Sequence, residues 1–186
     1  IVSLSPVQRF LQAQCWFTAL PAQERDAIAS QVFTLSATRG SVILPANEPT
    51  QGWYGVLHGL VKISGRATAG RRSDFLGVAA GDWFGEGAVL KNELRRYEVV
   101  ALRDTEVLCL PSATFHGLFE SSIRFNQFLV SCMNLRLSQA MAMIEAEKRW
   151  LASNRNVSDI YTYRKVANGA VVLMVDSETD YDRDGK

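Results

Sequence analysis

The residues with the most chemistry to offer stand together from Phe84 to Tyr97, in the run Phe-Gly-Glu-Gly-Ala-Val-Leu-Lys-Asn-Glu-Leu-Arg-Arg-Tyr. Gly85 and Gly87 can take backbone angles that Cβ-bearing residues avoid, so main-chain N–H groups can converge on one point. A short helix starting there and running on through Ala88 aims its positive end at the same point. An arginine returning from Arg95 or Arg96 adds a planar fork of donors with a permanent charge. Together these make a phosphate cradle. Glu86 is out of place against a bare phosphate, but it suits a ligand that also offers a hydroxyl needing an acceptor, such as a ribose. Neighbours on an extended segment point to opposite faces, so only one of Arg95 and Arg96 enters the cradle.

This run follows Gly81-Asp82 and precedes Val99-Val100-Ala101. It resembles the phosphate-binding cassette of cyclic-nucleotide-binding domains, above all the sensor domain of Crp/Fnr-type bacterial transcription regulators. The resemblance extends from about Trp16 to about Trp150. It takes in Trp16-Phe17-Thr18-Ala19-Leu20-Pro21, Arg39-Gly40-Ser41-Val42-Ile43 and the segment from Gly52-Trp53-Tyr54 to Val61-Lys62-Ile63. It implies that Glu86 accepts from a ribose 2′-hydroxyl and that Arg95 pairs with the cyclic phosphate of cAMP or cGMP. Choosing Arg95 places Val99, Val100 and Ala101 in the family's register. Arg96 and Tyr97 depart from the pattern, standing where the family has a small hydroxyl residue and then alanine. The alternative is therefore a degenerate β-roll, its pocket filled by Arg96 and Tyr97, that binds no ligand and serves as a structural dimerisation module.

Composition bounds the rest. The chain has 186 residues, 47% of them hydrophobic, and a formal net charge of +1. That suits one packed domain with an appendage, and it gives no global attraction to nucleic acid or to an anionic membrane. No apolar run is long enough to span a bilayer, and a cytoplasmic location is expected. Cys15, Cys109 and Cys132 are scattered among apolar neighbours, which predicts buried thiols and no iron–sulfur cluster. His58 and His116 have no second ligand at metal spacing. No Ser/His/Asp or Cys/His set carries a catalytic signature, so no enzyme, no metal and no resident cofactor is expected.

The elements that must position the cradle can be read in order. Residues 1–32 form helices: Ser5-Pro6-Val7-Gln8 makes a capping box with proline at the first helical position, and a second helix starts near Pro21. Residues 33–111 are short β-branched and aromatic runs broken by Gly, Asn and Pro, which predicts an antiparallel roll. Arg66 to Arg72 reads as its solvated hairpin tip. Residues 112–150 hold a short helix capped by Ser112 and a long one from about Ser122 to Trp150. Phe128, Cys132, Leu135, Gln139 and Ala142 recur along the long helix at alternating spacings of four and three, a coiled-coil seam that predicts a homodimer. The resembled family has a hydroxyl pair near Ala140 and Met141. Residues 151–186 offer two strand-like runs and an acidic end, Asp180 to Gly185. The fold class is thus α+β: an antiparallel, jelly-roll-like β-roll of cyclic-nucleotide-binding type, with helices before it and a long dimerisation helix after it. Any DNA contact would belong to a domain outside this chain.

Overall fold

The computed structural model describes residues 4–66, 72–153, 161–165 and 171–176. The hairpin tip at 67–71 and the acidic end at 180–185 lie outside the described residues. Helix α1 (Pro6–Gln12) starts from the expected box: Gln8 N–H donates to Ser5 Oγ, and Ser5 N–H donates to the Gln8 side chain. A short α2 (Cys15–Thr18) follows, then α3 (Ala22–Gln31), which Pro21 precedes. The roll comprises β1 (Phe33–Ala37), β2 (Val42–Leu44), β3 (Gly52–His58), β4 (Leu60–Arg66), β5 (Arg72–Ala79), β6 (Trp83–Phe84), a short α4 (Glu86–Lys91), β7 (Tyr97–Ala101) and β8 (Thr105–Pro111). Helices α5 (Ser112–Ser121) and α6 (Ile123–Ser153) close the helical layer. Pro111, not Ser112, holds the cap position of α5, because Ser112 already has helical geometry. Strands β9 (Tyr161–Lys165) and β10 (Val171–Asp176) pair antiparallel with each other, and β10 lies against β5.

The eight strands of the roll form two antiparallel sheets, β1-β8-β3-β6 and β2-β7-β4-β5. The first sheet is covered on both faces, and its side chains sort by alternation. Tyr54, Phe84, Val107 and Cys109 point into the roll, where they meet Val61, Ile63, Val78 and Val99 from the second sheet. Their neighbours Trp53, Trp83, Leu108 and Leu110 point outward, into a cluster built with Phe10, Trp16, Phe17, Phe115, Leu118, Phe125 and Leu129. Double coverage explains why these strands read as nearly continuous apolar runs. Trp53 and Trp83 stack with ring centroids 4.2 Å apart, and Phe125 meets Trp16 and Trp53 edge-on at 5.1 and 5.7 Å. The indole of Trp83 donates to Gln14 Oε1 at 3.0 Å, and Gln14 Nε2 donates to Phe10 O. Gly52 is required where β3 meets β8, since a Cβ there would lie 1.9 Å from the Leu110 carbonyl oxygen.

This packing fixes which face of α6 looks inward. Phe125 and Leu129 are buried in the helical cluster, so residues three or four positions further along share their face. Phe128 packs on that cluster, and Cys132 and Gln139 line a cavity of about 500 Å³ between α6, the β5–β6 turn and α1. Of the seam expected through Phe128, Cys132, Leu135, Gln139 and Ala142, Phe128, Cys132 and Gln139 are half-buried, Leu135 lines the same cavity while staying largely exposed, and Ala142 is exposed. Among the described residues, Val130, Met133, Leu137, Met141 and Ile144 form one exposed apolar row along α6. The expectation of three buried thiols is corrected: Cys109 is buried, Cys132 half-buried and Cys15 exposed at the start of α2. Among the described residues no helix is long and apolar enough to cross a membrane.

Phe125 joins the helices to the sheet, and truncating it leaves a void among three aromatic rings. Phe125→Ala should cost about 3–5 kcal/mol in chemical denaturation. A loss below about 1 kcal/mol would show that α6 is not anchored there.

Candidate functional site

The site is built where β6 turns into α4. Gly85 holds φ +93°, a left-handed angle natural to glycine, and so reverses the chain between Phe84 and Glu86. Asn92 takes the same region (φ 51°) at the other end of α4. The return segment is fixed by backbone bonds to the loop after β2. Arg95 N–H donates to Glu48 O at 2.9 Å, and Asn47 N–H donates to Arg95 O at 2.7 Å. From that register residues 95, 97, 99 and 101 face inward.

Arg95 is buried, with 2% of its surface exposed. Its Nε and Nη2 both donate to Pro45 O, at 3.1 and 3.0 Å, and Nη2 lies 3.7 Å from a carboxylate oxygen of the mostly exposed Glu48. Its third nitrogen, Nη1, is buried and has no hydrogen-bond partner. Arg96 points the other way: its side chain is 86% exposed and pairs with Glu93 at 3.5 Å. Glu86 sits at the start of α4, largely buried. Its Oε1 is bound by Nη1 of Arg136, while its Oε2 is buried without a partner. Arg136 also donates from Nη2 to Trp83 O, so one guanidinium on α6 grips both β6 and α4.

Tyr97 completes the group. Its hydroxyl comes within 3.5 Å of where a Cβ on Gly85 would stand, and Tyr54, stacked on Phe84, comes within 3.3 Å of the same point. Burial, and then the charge of Glu86, push the Tyr97 hydroxyl up to about 12, with Arg95 and Arg136 opposing. It is therefore a neutral hydroxyl at ordinary pH. Burial also raises Tyr54 and the Cys109 thiol beside it, the latter to about 12.

Of the residues marked from sequence, the structure brings Gly85, Glu86, Arg95 and Tyr97 together. Ala88 is buried under α4, while Gly87 and Arg96 face outward. Ala140 and Met141 are exposed on α6. Sequence reasoning did not mark Arg136. The available signal was a cation on the face of α6 that otherwise carries Phe125, Leu129 and Cys132. A charge in an apolar row needs a partner, and Glu86 supplies it.

Residues 34–122 match the family model of the cyclic nucleotide-binding domain. None of the curated proteins matches. Among solved structures, the catabolite activator protein of Thermus thermophilus superposes with a TM-score of 0.57 at 23% identity, over 77% of this chain and 63% of that one. The sensor domain of the transcriptional regulator DNR from Pseudomonas aeruginosa gives 0.60 at 15% identity, over 73% and 91%. The regulatory domain of Toxoplasma gondii PKA, solved with cAMP, gives 0.57 at 24% identity, over 68% and 48%. At these identities the likeness is one of fold, and the chain spans less than two thirds of the Thermus protein.

The Glu86–Arg136 pair can be weighed by a double-mutant cycle. Arg136→Ala strands a largely buried carboxylate and should destabilise the chain by about 1–3 kcal/mol. Adding Glu86→Gln should recover part of that loss. Strictly additive effects in denaturant melts would mean that the pair does not fasten α6 to the cassette.

Proposed function

We propose that the cyclic nucleotide-binding domain in this chain is the ligand-sensing part of a Crp/Fnr-type transcription regulator. It takes a cyclic nucleotide such as cAMP or cGMP, or a similar small phosphate ligand, and it signals through α6 in a homodimer. The observation that carries this reading is a pair of buried, charged side chains with one atom each left over: Arg95 Nη1 and Glu86 Oε2. Buried polar atoms are seldom left unpaired, because each costs about 1–3 kcal/mol. A ligand with an anionic oxygen and a hydroxyl satisfies both at once. The other oxygen of Glu86, Oε1, is held by Arg136, so a ligand that draws on Glu86 acts directly on the grip between cassette and α6. Signalling then follows as a population shift between arrangements of the helix pair. The sensor does no chemistry on its ligand, and DNA contact falls to residues outside this chain. A cytoplasmic setting fits this role.

A second reading has its own observation. Tyr97 lies against Gly85, inside the cassette, where a small side chain would leave space. On that reading the roll is a dimerisation module that binds nothing.

Calorimetry with cAMP, cGMP and small phosphate esters separates the two. At least one should bind saturably, with Arg95→Ala weakening it about ten- to a hundredfold and Arg96→Ala changing it less than twofold. Arg95→Lys keeps the charge, loses the fork and should weaken it as well. If nothing in the panel binds, the dimerisation module is the correct description.

The homodimer is tested separately. Val130, Met133, Leu137, Met141 and Ile144 make an exposed apolar row at heptad-like spacing. Leu137→Glu places a charge in that seam and should give monomers in sedimentation at tens of micromolar, roughly where a weak interface assembles. Gln139→Glu, on the inward face, should leave the dimer intact. A parent chain that is itself monomeric there removes the dimer.

A further inference from the structure

Resting on the ligand-binding reading above, and narrowing it to the small phosphate ligand rather than the cyclic nucleotide, we infer that Tyr97 sets the ligand class: the cassette takes a compact phosphate monoester bearing a free hydroxyl and excludes a nucleoside cyclic phosphate. Gly85 is approached from the roll interior by two phenols, the ring of Tyr54 at 3.3 Å and the hydroxyl of Tyr97 at 3.5 Å, measured from the position of a Cβ. Tyr97 stands two residues beyond Arg95 on the same inward face, and its hydroxyl reaches the Gly85 turn that leads into Glu86. Both charges reach it: Glu86 raises its hydroxyl and Arg95 opposes the rise.

A nucleoside cyclic phosphate that met Glu86 with its ribose hydroxyl and Arg95 with its phosphate would bring a base as well, and Tyr97 already fills space beside the turn. Its exit is resisted, since its ring packs with the buried cluster of Tyr54, Phe84 and Val99. What the site still asks for is modest. Arg95 Nη1 needs an anionic oxygen, and Glu86 Oε2 needs a hydroxyl. A three-carbon phosphate ester carries both within a few bonds. The neutral hydroxyl of Tyr97 then becomes a further donor to the phosphate instead of an obstacle to a sugar.

The test is calorimetry on the full chain with glycerol 3-phosphate, inorganic phosphate and cAMP, for the parent and for Tyr97→Ala, Tyr97→Val and Tyr97→Phe. Thermal melts confirm which variants fold, and either small substitution serves. The parent should bind glycerol 3-phosphate at least tenfold more tightly than cAMP, and more tightly than inorganic phosphate, which has no carbon-borne hydroxyl. Tyr97→Ala or Tyr97→Val should bind cAMP at least tenfold more tightly than the parent does, and Tyr97→Phe, which keeps the ring, should not. Should the parent bind cAMP as tightly as the small variants, Tyr97 has no such role, while the cassette remains a ligand site. Binding of cAMP by the small variants, with no glycerol 3-phosphate bound by the parent, overturns the ligand class. If no chain binds any of the three, the inference and the ligand-binding reading fall together.

Discussion

Neighbouring residues on β3 and on β6 face opposite sides of one sheet, and the surroundings of the cassette depend on that alternation. Trp53 and Trp83 carry the helices; Tyr54 and Phe84, one position later, wall the cassette. A slip of one residue in either strand would exchange the two sets and empty both layers. The register between Tyr54 and Phe84 on β3 and β6 is therefore a constraint on the site as well as on the core. Gln14 reinforces it from outside, holding the indole of Trp83 to the N-terminal helices.

The two charges buried at the cassette are each met by a partner. Arg95 loses its water but gains two bonds to Pro45 O and the field of Glu48. Glu86 loses its water but gains Arg136. Each arrangement is incomplete by one atom, and both incomplete atoms belong to the cassette. A fully satisfied network would be stiffer and more stable. The incomplete one remains sensitive to anything that brings a donor and an acceptor together.

Much of this was legible in the sequence, for identifiable reasons. The Ser5 box, the helix after Pro21 and the glycine turn at Gly85 are local devices, set by residues within a few positions of one another. The strand-like runs of the tail correspond to β9 and β10 for the same reason, since aromatic and β-branched residues cluster on either side of Asn168-Gly169. The face of α6 was not local. Its sequence shows apolar residues at alternating spacings of four and three, and only the docking of Phe125 and Leu129 against Trp16, Trp53 and Leu118 decides which side chains are covered. Arg136 was hidden likewise, because its partner lies fifty positions earlier and meets it only when α6 folds back. Ser112 illustrates a smaller limit: serine next to a proline can cap or begin a helix, and here Pro111 takes the cap position and Ser112 begins the helix.

The retained arginine and the departure beside it are one geometric fact. The return segment is pinned at Arg95 by bonds to Glu48 and Asn47, and Val99 and Ala101 must lie inward to pack against the roll. Side chains alternate along an extended segment, so the same pinning that brings Arg95 inward brings Tyr97 inward and sends Arg96 to solvent. A sequence that kept its arginine at this place and put a large residue two positions later could not keep the one without admitting the other. The cassette therefore cannot be judged from Arg95 alone. What could enter it is set by Arg95 and Tyr97 together.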